Sequence, residues 1–213
     1  MADTKIPRPV LDDDLDILEL SEENIFDDAV FSYGTINDCT LEDYNAERLT
    51  FKHVIFHNVV FNKIKFKHID LMGVRFQNCD LSNVDFSKAS LHRVEFINCK
   101  MIGIDLGEAT LREVIFDNCN GRYAFLSFSD CKQVAFLACQ LSFSDFKNAV
   151  FSKVEFQESN LLQAQMNFAS LKGIDLRSCD IEGLHVNTKD VNGAIVTPMQ
   201  AVALSSLLGL VVK

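Results

Sequence analysis

The sequence predicts an all-β solenoid, a four-sided β-helix of short strands, and three observations carry that reading. A large apolar residue recurs at every fifth position, as in Phe51, Phe56, Phe61, Phe66, Leu71 and Phe76, and this phase runs from Phe26 to Val196 without an insertion. Two residues before each of these central positions lies a second apolar site of smaller residues, such as Val54, Val59, Ile64, Ile69, Val74 and Cys79, while the other three positions are mostly polar. The smaller residue then changes type in a cycle of twenty: Val54, Val74, Val94, Val114, Val134 and Val154 form one series, and Cys79, Cys99, Cys119, Cys139 and Cys179 another. A period of five fits neither the 3.6 of a helix nor the strict alternation of a long strand. It requires a corner every five residues, and the cycle of twenty closes one turn with four corners.

Taken in order, residues 1–25 form an acidic lead, residues 26–196 the repeats, and residues 197–213 a C-terminal module. The lead carries Asp3, Asp12, Asp13, Asp14, Asp16, Glu19, Glu22 and Glu23 against Lys5 and Arg8, and its stretch from Val10 to Leu20 is expected to lie over the first coil. The repeats should make about nine coils, stacked at the inter-strand spacing of about 4.8 Å into a rod on the order of 40 Å tall. Like side chains would ladder through the centre, each coil pairing only with its neighbours. At the far end Thr197-Pro198-Met199-Gln200 reads as a helix start, with Thr as N-cap, Pro at the first helical position and Gln completing a capping box. The helix should end at Gly209, followed by a short apolar strand of Leu210, Val211 and Val212.

Charge and motifs limit the function. The chain has 30 acidic against 20 basic residues, a net charge of −10, which argues against direct nucleic-acid binding and favours a basic partner. No stretch reads as a signal sequence or a membrane span, so a soluble cytoplasmic protein is expected. The sequence holds no GxSxG, P-loop or HExxH, and a convex rod gives its carboxylates no cleft in which to shift their pKa. No enzyme, cofactor, metal or small-molecule substrate is expected.

Pentads such as CDLSN (79–83), ASLHR (89–93) and SNLLQ (159–163) resemble the repeat of the pentapeptide-repeat superfamily over residues 26–196. That resemblance implies a right-handed quadrilateral β-helix. The lead IPRP, the break CNGRYAFLSFSDC at 119–131 and the ending GAIVTPMQAVALSSLLGLVV resemble the Qnr quinolone-resistance group, especially its Gram-positive chromosomal members. This narrower resemblance implies a C-terminally joined homodimer that mimics duplex DNA, binds DNA gyrase or topoisomerase IV, and protects it from fluoroquinolones. Plasmid-borne Qnr proteins carry projecting loops, whereas the unbroken phase here leaves no room for one. Protection would have to come from the rod's own surface.

Candidate sites each have a plainer alternative. Asp85, Asp105 and Asp145, with Glu108 beside them, share one outward side of successive coils; Glu95, Glu155 and Asp175, with Asp117 and Glu158 nearby, share another. They could imitate phosphates, or simply be a solvated surface. The Cys series is a packing ladder or a metal or redox strip; stacked thiols lack the tetrahedral convergence of a zinc site, which favours packing. Lys52, Lys63, Lys65 and Lys67, with His53, His57 and His68, form a basic band between Arg48 and Arg75 that could bind an acidic partner or nucleic acid, or be shielded by the acidic lead. Tyr123, Phe125, Phe128 and Phe143 could form a contact patch or pack around the side chain missing at Gly121. Met199, Val202, Leu204, Leu207, Leu208, Leu210, Val211 and Val212 give the C-terminal module more apolar surface than capping one coil requires, which points to a symmetric dimer contact. The rival to topoisomerase binding is a scaffold with another partner; an enzyme accessory or toxin-immunity factor also fits an acidic rod.

Overall fold

The structure, a computed structural model, describes residues 6–11 and 15–210. The chain coils as a parallel β-solenoid of about seven turns. Its principal sheet stacks seven rungs: Val30–Asn37, Thr50–His57, the pair Asp70–Met72 and Arg75–Gln77, then Ser90–Ile97, Thr110–Asp117, Asp130–Leu137 and Val150–Gln157. The register advances by one twenty-residue turn at each step, so Val94, Val114, Val134 and Val154 align, as do Phe96, Phe116, Phe136 and Phe156. On the other two sides the strands shorten to Thr40–Glu42 against Val60–Asn62 and Asn45–Glu47 against Lys65–Lys67, and later coils keep single bridges such as Asp80 to Lys100 and Asp85 to Asp105.

The corners explain the five-residue period. From Asp28 to Gly173 the residue two after each central position takes a left-handed backbone, with φ between 53° and 55° at Asn58, Asn78, Asn98 and Asn118. Asn tolerates that region better than most L-residues, and its short amide can bond locally. Here the four amides bond to one another along the rod: Asn118 Nδ2 donates to Asn98 Oδ1 at 2.9 Å, and Asn98 to Asn78 at 3.4 Å.

Inside, the central rings stack. Centroids of Phe56, Phe76, Phe96, Phe116, Phe136 and Phe156 follow at 4.7 to 5.0 Å with planes within 7° of parallel. The Cys ladder is packing with weak hydrogen bonding: Cys99 Sγ donates to Phe76 O at 3.5 Å and Cys139 Sγ to Phe116 O at 3.4 Å. Ser159 takes the same place and donates to Phe136 O at 3.1 Å, so a small weak donor is what the position needs. Burial pushes the Cys131 thiol up to about 11 and the Cys119 thiol up as well. Gly121, lacking a central side chain, leaves an apolar cavity of about 20 Å³ among Met101, Leu126, Phe136 and Leu141.

Both ends are closed. Asp16–Ile17 pairs with Gly34–Thr35, and Leu18 lies so close over Gly34 that a Cβ there would sit 2.3 Å from its Cγ. Only glycine admits this cap. At the other end the capping box of Thr197 and Gln200 forms, and Gln200 Nε2 also donates to Leu176 O and Cys179 O, fixing the helix Pro198–Leu204 on the last coil.

Two expectations are corrected. About nine coils become about seven, because the lead and the turns at 22–24 and 27–28 precede the first rung, and successive turns at 188–193 loosen the last one. The C-terminal module is a single short helix, continued by a 3₁₀ turn over Ser205–Leu208 and closed by Gly209 at φ 72°. Leu210 is exposed and in no strand, while Val211 and Val212 lie outside the described residues.

Candidate interaction surfaces

The first acidic row is held by the backbone. Asp85, Asp105 and Asp145 project from the same side of three coils, with Phe125 between the last two. One carboxylate oxygen of each accepts the N–H two residues on, from Ser87 at 3.0 Å, Gly107 at 2.8 Å and Lys147 at 2.9 Å. Asp and Asn favour this local turn. It leaves the second oxygen for partners, and two cations reach it: Lys67 lies 3.7 Å from Asp85 and Lys147 lies 3.5 Å from Asp145. Glu108, at a corner beside the row, has Lys88 at 4.0 Å.

The second row is divided. Glu155, Glu158 and Asp175 border an open concavity of about 810 Å³ near the C-terminal end. Arg177 grips Asp175 through Nε and Nη2 and also donates its backbone N–H, which holds that carboxyl down at about 2. Glu95 and Asp117 are not on the outer surface: Glu95 is fully buried and Asp117 is 9% exposed. The covering is the lead itself, which runs as a strap along the outside of the rungs. Arg8 reaches Glu95 with Nη1 and lies 3.8 Å from Asp117 with Nη2, while Arg75 holds the other Glu95 oxygen at 3.0 Å. Ile6 packs on Ile115, Ala135 and Leu137, and Val10 O lies 3.4 Å from His53 Nδ1. Periodicity assigns Glu95 and Asp117 to outward positions but does not register what lies on top of them. Apolar Ile115, Ala135 and Leu137 at outward positions were the visible signal.

Part of the basic band is paired with acids along the stack. Arg48 forks onto Asp28 at 2.6 and 2.9 Å, Lys63 meets Asp43 at 3.2 Å, Lys67 meets Asp85, and Arg75 meets Glu95. Among the described residues these acids belong to the coils and not to the lead; Asp12, Asp13 and Asp14 lie outside the described residues.

The aromatics near Gly121 do not fill its cavity. Tyr123 and Phe143 stack on each other outside, centroids 5.2 Å apart, with Arg122 over the Tyr123 ring at 5.6 Å. Phe128 and Phe168 are well exposed, and Phe125 lies on Gly107. In the C-terminal module Leu204 and Leu207 pack against the core, leaving Met199, Val202, Leu208 and Leu210 exposed. No three His, Cys, Asp or Glu of the described residues are arranged to hold a metal, and none of their helices is long and apolar enough to cross a membrane.

No curated protein matches the sequence. Among solved structures, full-length QnrB1, described as a plasmid-mediated fluoroquinolone resistance protein, is 15% identical, with 83% of this chain and 100% of that chain covered and a TM-score of 0.41. HetL from the cyanobacterium Nostoc, described as involved in heterocyst differentiation regulation, is 15% identical, with 81% and 91% covered and a TM-score of 0.42. A pentapeptide repeat protein of the Arabidopsis thaliana thylakoid lumen is 23% identical, with 62% and 76% covered and a TM-score of 0.21. Family descriptions match directly: a pentapeptide repeat region over residues 69–142, and pentapeptide repeats in 8 copies over residues 139–183. With the twenty-residue register and its left-handed corners, they identify the chain as a member of the pentapeptide-repeat family.

Proposed function

We propose that this chain is a non-enzymatic rod that occupies the DNA-binding surface of a bacterial type II topoisomerase, DNA gyrase or topoisomerase IV, and thereby relieves fluoroquinolone inhibition. The observation that supports this reading best is the row Asp85, Asp105 and Asp145. Each carboxylate is tied by one oxygen to its own backbone, so its charge stands fixed, one coil apart at Asp85 and Asp105 and two coils apart at Asp105 and Asp145, instead of sweeping through solvent. Fixed anions aligned along a rod are what a cationic DNA saddle recognises in phosphates. The resemblance of the IPRP lead and of the C-terminal segment to the Qnr group points the same way.

Supercoiling by gyrase in the presence of ciprofloxacin tests it. Activity should recover at low protein and fall at high protein, as a competitor of DNA would make it do. The substitution of Asn for Asp at 85, 105 and 145 together keeps the turn hydrogen bonds and removes three charges; it should abolish the recovery. Absence of any effect on gyrase and topoisomerase IV would reject the reading.

A scaffold with another partner is favoured by one separate observation. Tyr123, Phe128, Phe143 and Phe168 hold left-handed corners with φ from 60° to 65°, where bulky side chains are costly and most other corners carry Gly or a polar or charged residue. Strain kept at exposed aromatic corners fits a contact surface for a protein that is not a topoisomerase.

A further inference from the structure

We infer that the side of the solenoid formed by Glu95, Asp117, Ile115, Ala135 and Leu137 is a peptide-recognition site, occupied in cis by Ile6–Val10, whose external ligand is an extended segment with an aliphatic residue two positions before an arginine set between prolines. The site has two parts matched to that spacing. Ile115, Ala135 and Leu137, all fully buried, make an apolar seat for Ile6. Beside it, buried Glu95, one rung from Ile115, and Asp117, on the same rung as Ile115, receive the guanidinium of Arg8. Glu95 Oε1 has no hydrogen bond of ordinary geometry, and its counter-charge is Arg8. Arg75 offsets one negative charge, so the unoccupied pocket would keep an excess of one and would draw a cation.

The ligand side is equally specific. Pro7 and Pro9 restrict the segment to an extended conformation and remove two N–H groups that would otherwise need acceptors. The rungs beneath already pair with each other through Val94–Val114 and Val114–Val134, so the strap can leave without opening the coil. Its departure would uncover an apolar seat and two carboxylates. A free peptide must compete with a tethered copy whose effective concentration is in the millimolar range, so the intact protein should discriminate strongly against it. The inference does not depend on the topoisomerase reading.

Methyl NMR on the full-length chain carrying Ile6→Ser and Arg8→Glu tests it, with capped Ile-Pro-Arg-Pro-Val as the probe at up to about 5 mM, the scale of that effective concentration. The Ile115, Ala135 and Leu137 methyl signals should shift saturably. The same probe with Ala for Arg should bind at least tenfold more weakly, as should the original probe offered to the wild-type chain. Were the double variant not to fold, as judged by circular dichroism, Arg8→Ala alone serves the same comparison. Unshifted methyl signals in a folded variant, or equal shifts in wild type and variant, would overturn the inference. So would a change of sedimenting mass on releasing the strap, because the occupant would then be the lead of a second copy.

Discussion

Two carboxylates on the same outer side of the rod show how far environment divides like residues. Asp175 is half exposed and meets three donors from Arg177, two from the guanidinium and one from the backbone, which hold it at about 2. A folded-state pKa below the unfolded carboxylate value of about 3.9 makes a stabilising contribution that is complete above that value and is lost as pH falls through about 2. Exposure to solvent screens the contribution, so the titration reads the pair more clearly than stability does. Carbon-detected NMR of the Asp175 carboxyl should give a midpoint near 2, and Arg177→Gln should move it up towards the ordinary carboxylate range, short of it by the influence of the remaining backbone donor. An unmoved midpoint would mean that the backbone bond alone sets the value. Glu95, by contrast, lies inside a covered site between Arg75 and Arg8. Both acids sit at outward positions of the five-residue repeat, and the repeat is all that a reading of the pattern uses. The long-range contact that separates them comes from residues 6–10, far away in sequence, and carries no periodic signature.

At the scale of an element, the ladders were the most legible part of the molecule. Phe at 56, 76, 96, 116, 136 and 156, with Val two residues before each ring from Val54 to Val154, specifies both the side and the coil, and the pairing register follows it. A buried ring in such a ladder touches its neighbours above and below: Phe96 stacks on Phe76 and on Phe116, 4.9 Å from each. Phe96→Ala should therefore cost about 3–5 kcal/mol, because the coils are pinned by their backbone ladders and collapse poorly around the void. Phe96→Leu should cost roughly half as much, since it keeps most of the volume and forfeits the stacking geometry, itself worth about 0.5–1.5 kcal/mol per pair. Urea unfolding monitored by circular dichroism measures both. Equal losses for Ala and Leu would point to ring stacking and not to volume as the source of stability. The corner ladder of Asn58, Asn78, Asn98 and Asn118 was less legible: polar residues at an outward position read as solvation, and their mutual bonding appears only once the register is known. The same holds for Asp85, Asp105 and Asp145, where a turn-forming role hides behind what reads as a charged surface.

For the whole molecule the deciding question is what an open-ended stack does with its ends, since an uncovered coil offers unpaired backbone groups to any other edge. The first coil is covered by Asp16–Ile17 and Leu18 over Gly34. The last is covered by the helix, with Leu204 and Leu207 turned to the core and Gln200 bonded to two of its carbonyls. Capping thus uses two leucines of the C-terminal apolar set and leaves Met199 78%, Val202 46%, Leu208 64% and Leu210 57% exposed. These four exposed side chains, unlike Leu204 and Leu207, do not pack against the core of one chain. A two-fold contact between such ends would bury them, and would extend the rod without exposing a new edge. The wild-type chain should then sediment at twice its 24.0 kDa, and Val202→Asp with Leu208→Asp should halve that mass. Because both positions are exposed and neither belongs to the cap, the thermal midpoint measured at low concentration should stay near that of wild type. A wild-type chain that sediments as a monomer at tens of micromolar would rule the contact out. A double variant that remained dimeric would move it from the helix to another side of the rod, where the exposed aromatic corners at Tyr123, Phe128 and Phe168 offer the next apolar surface.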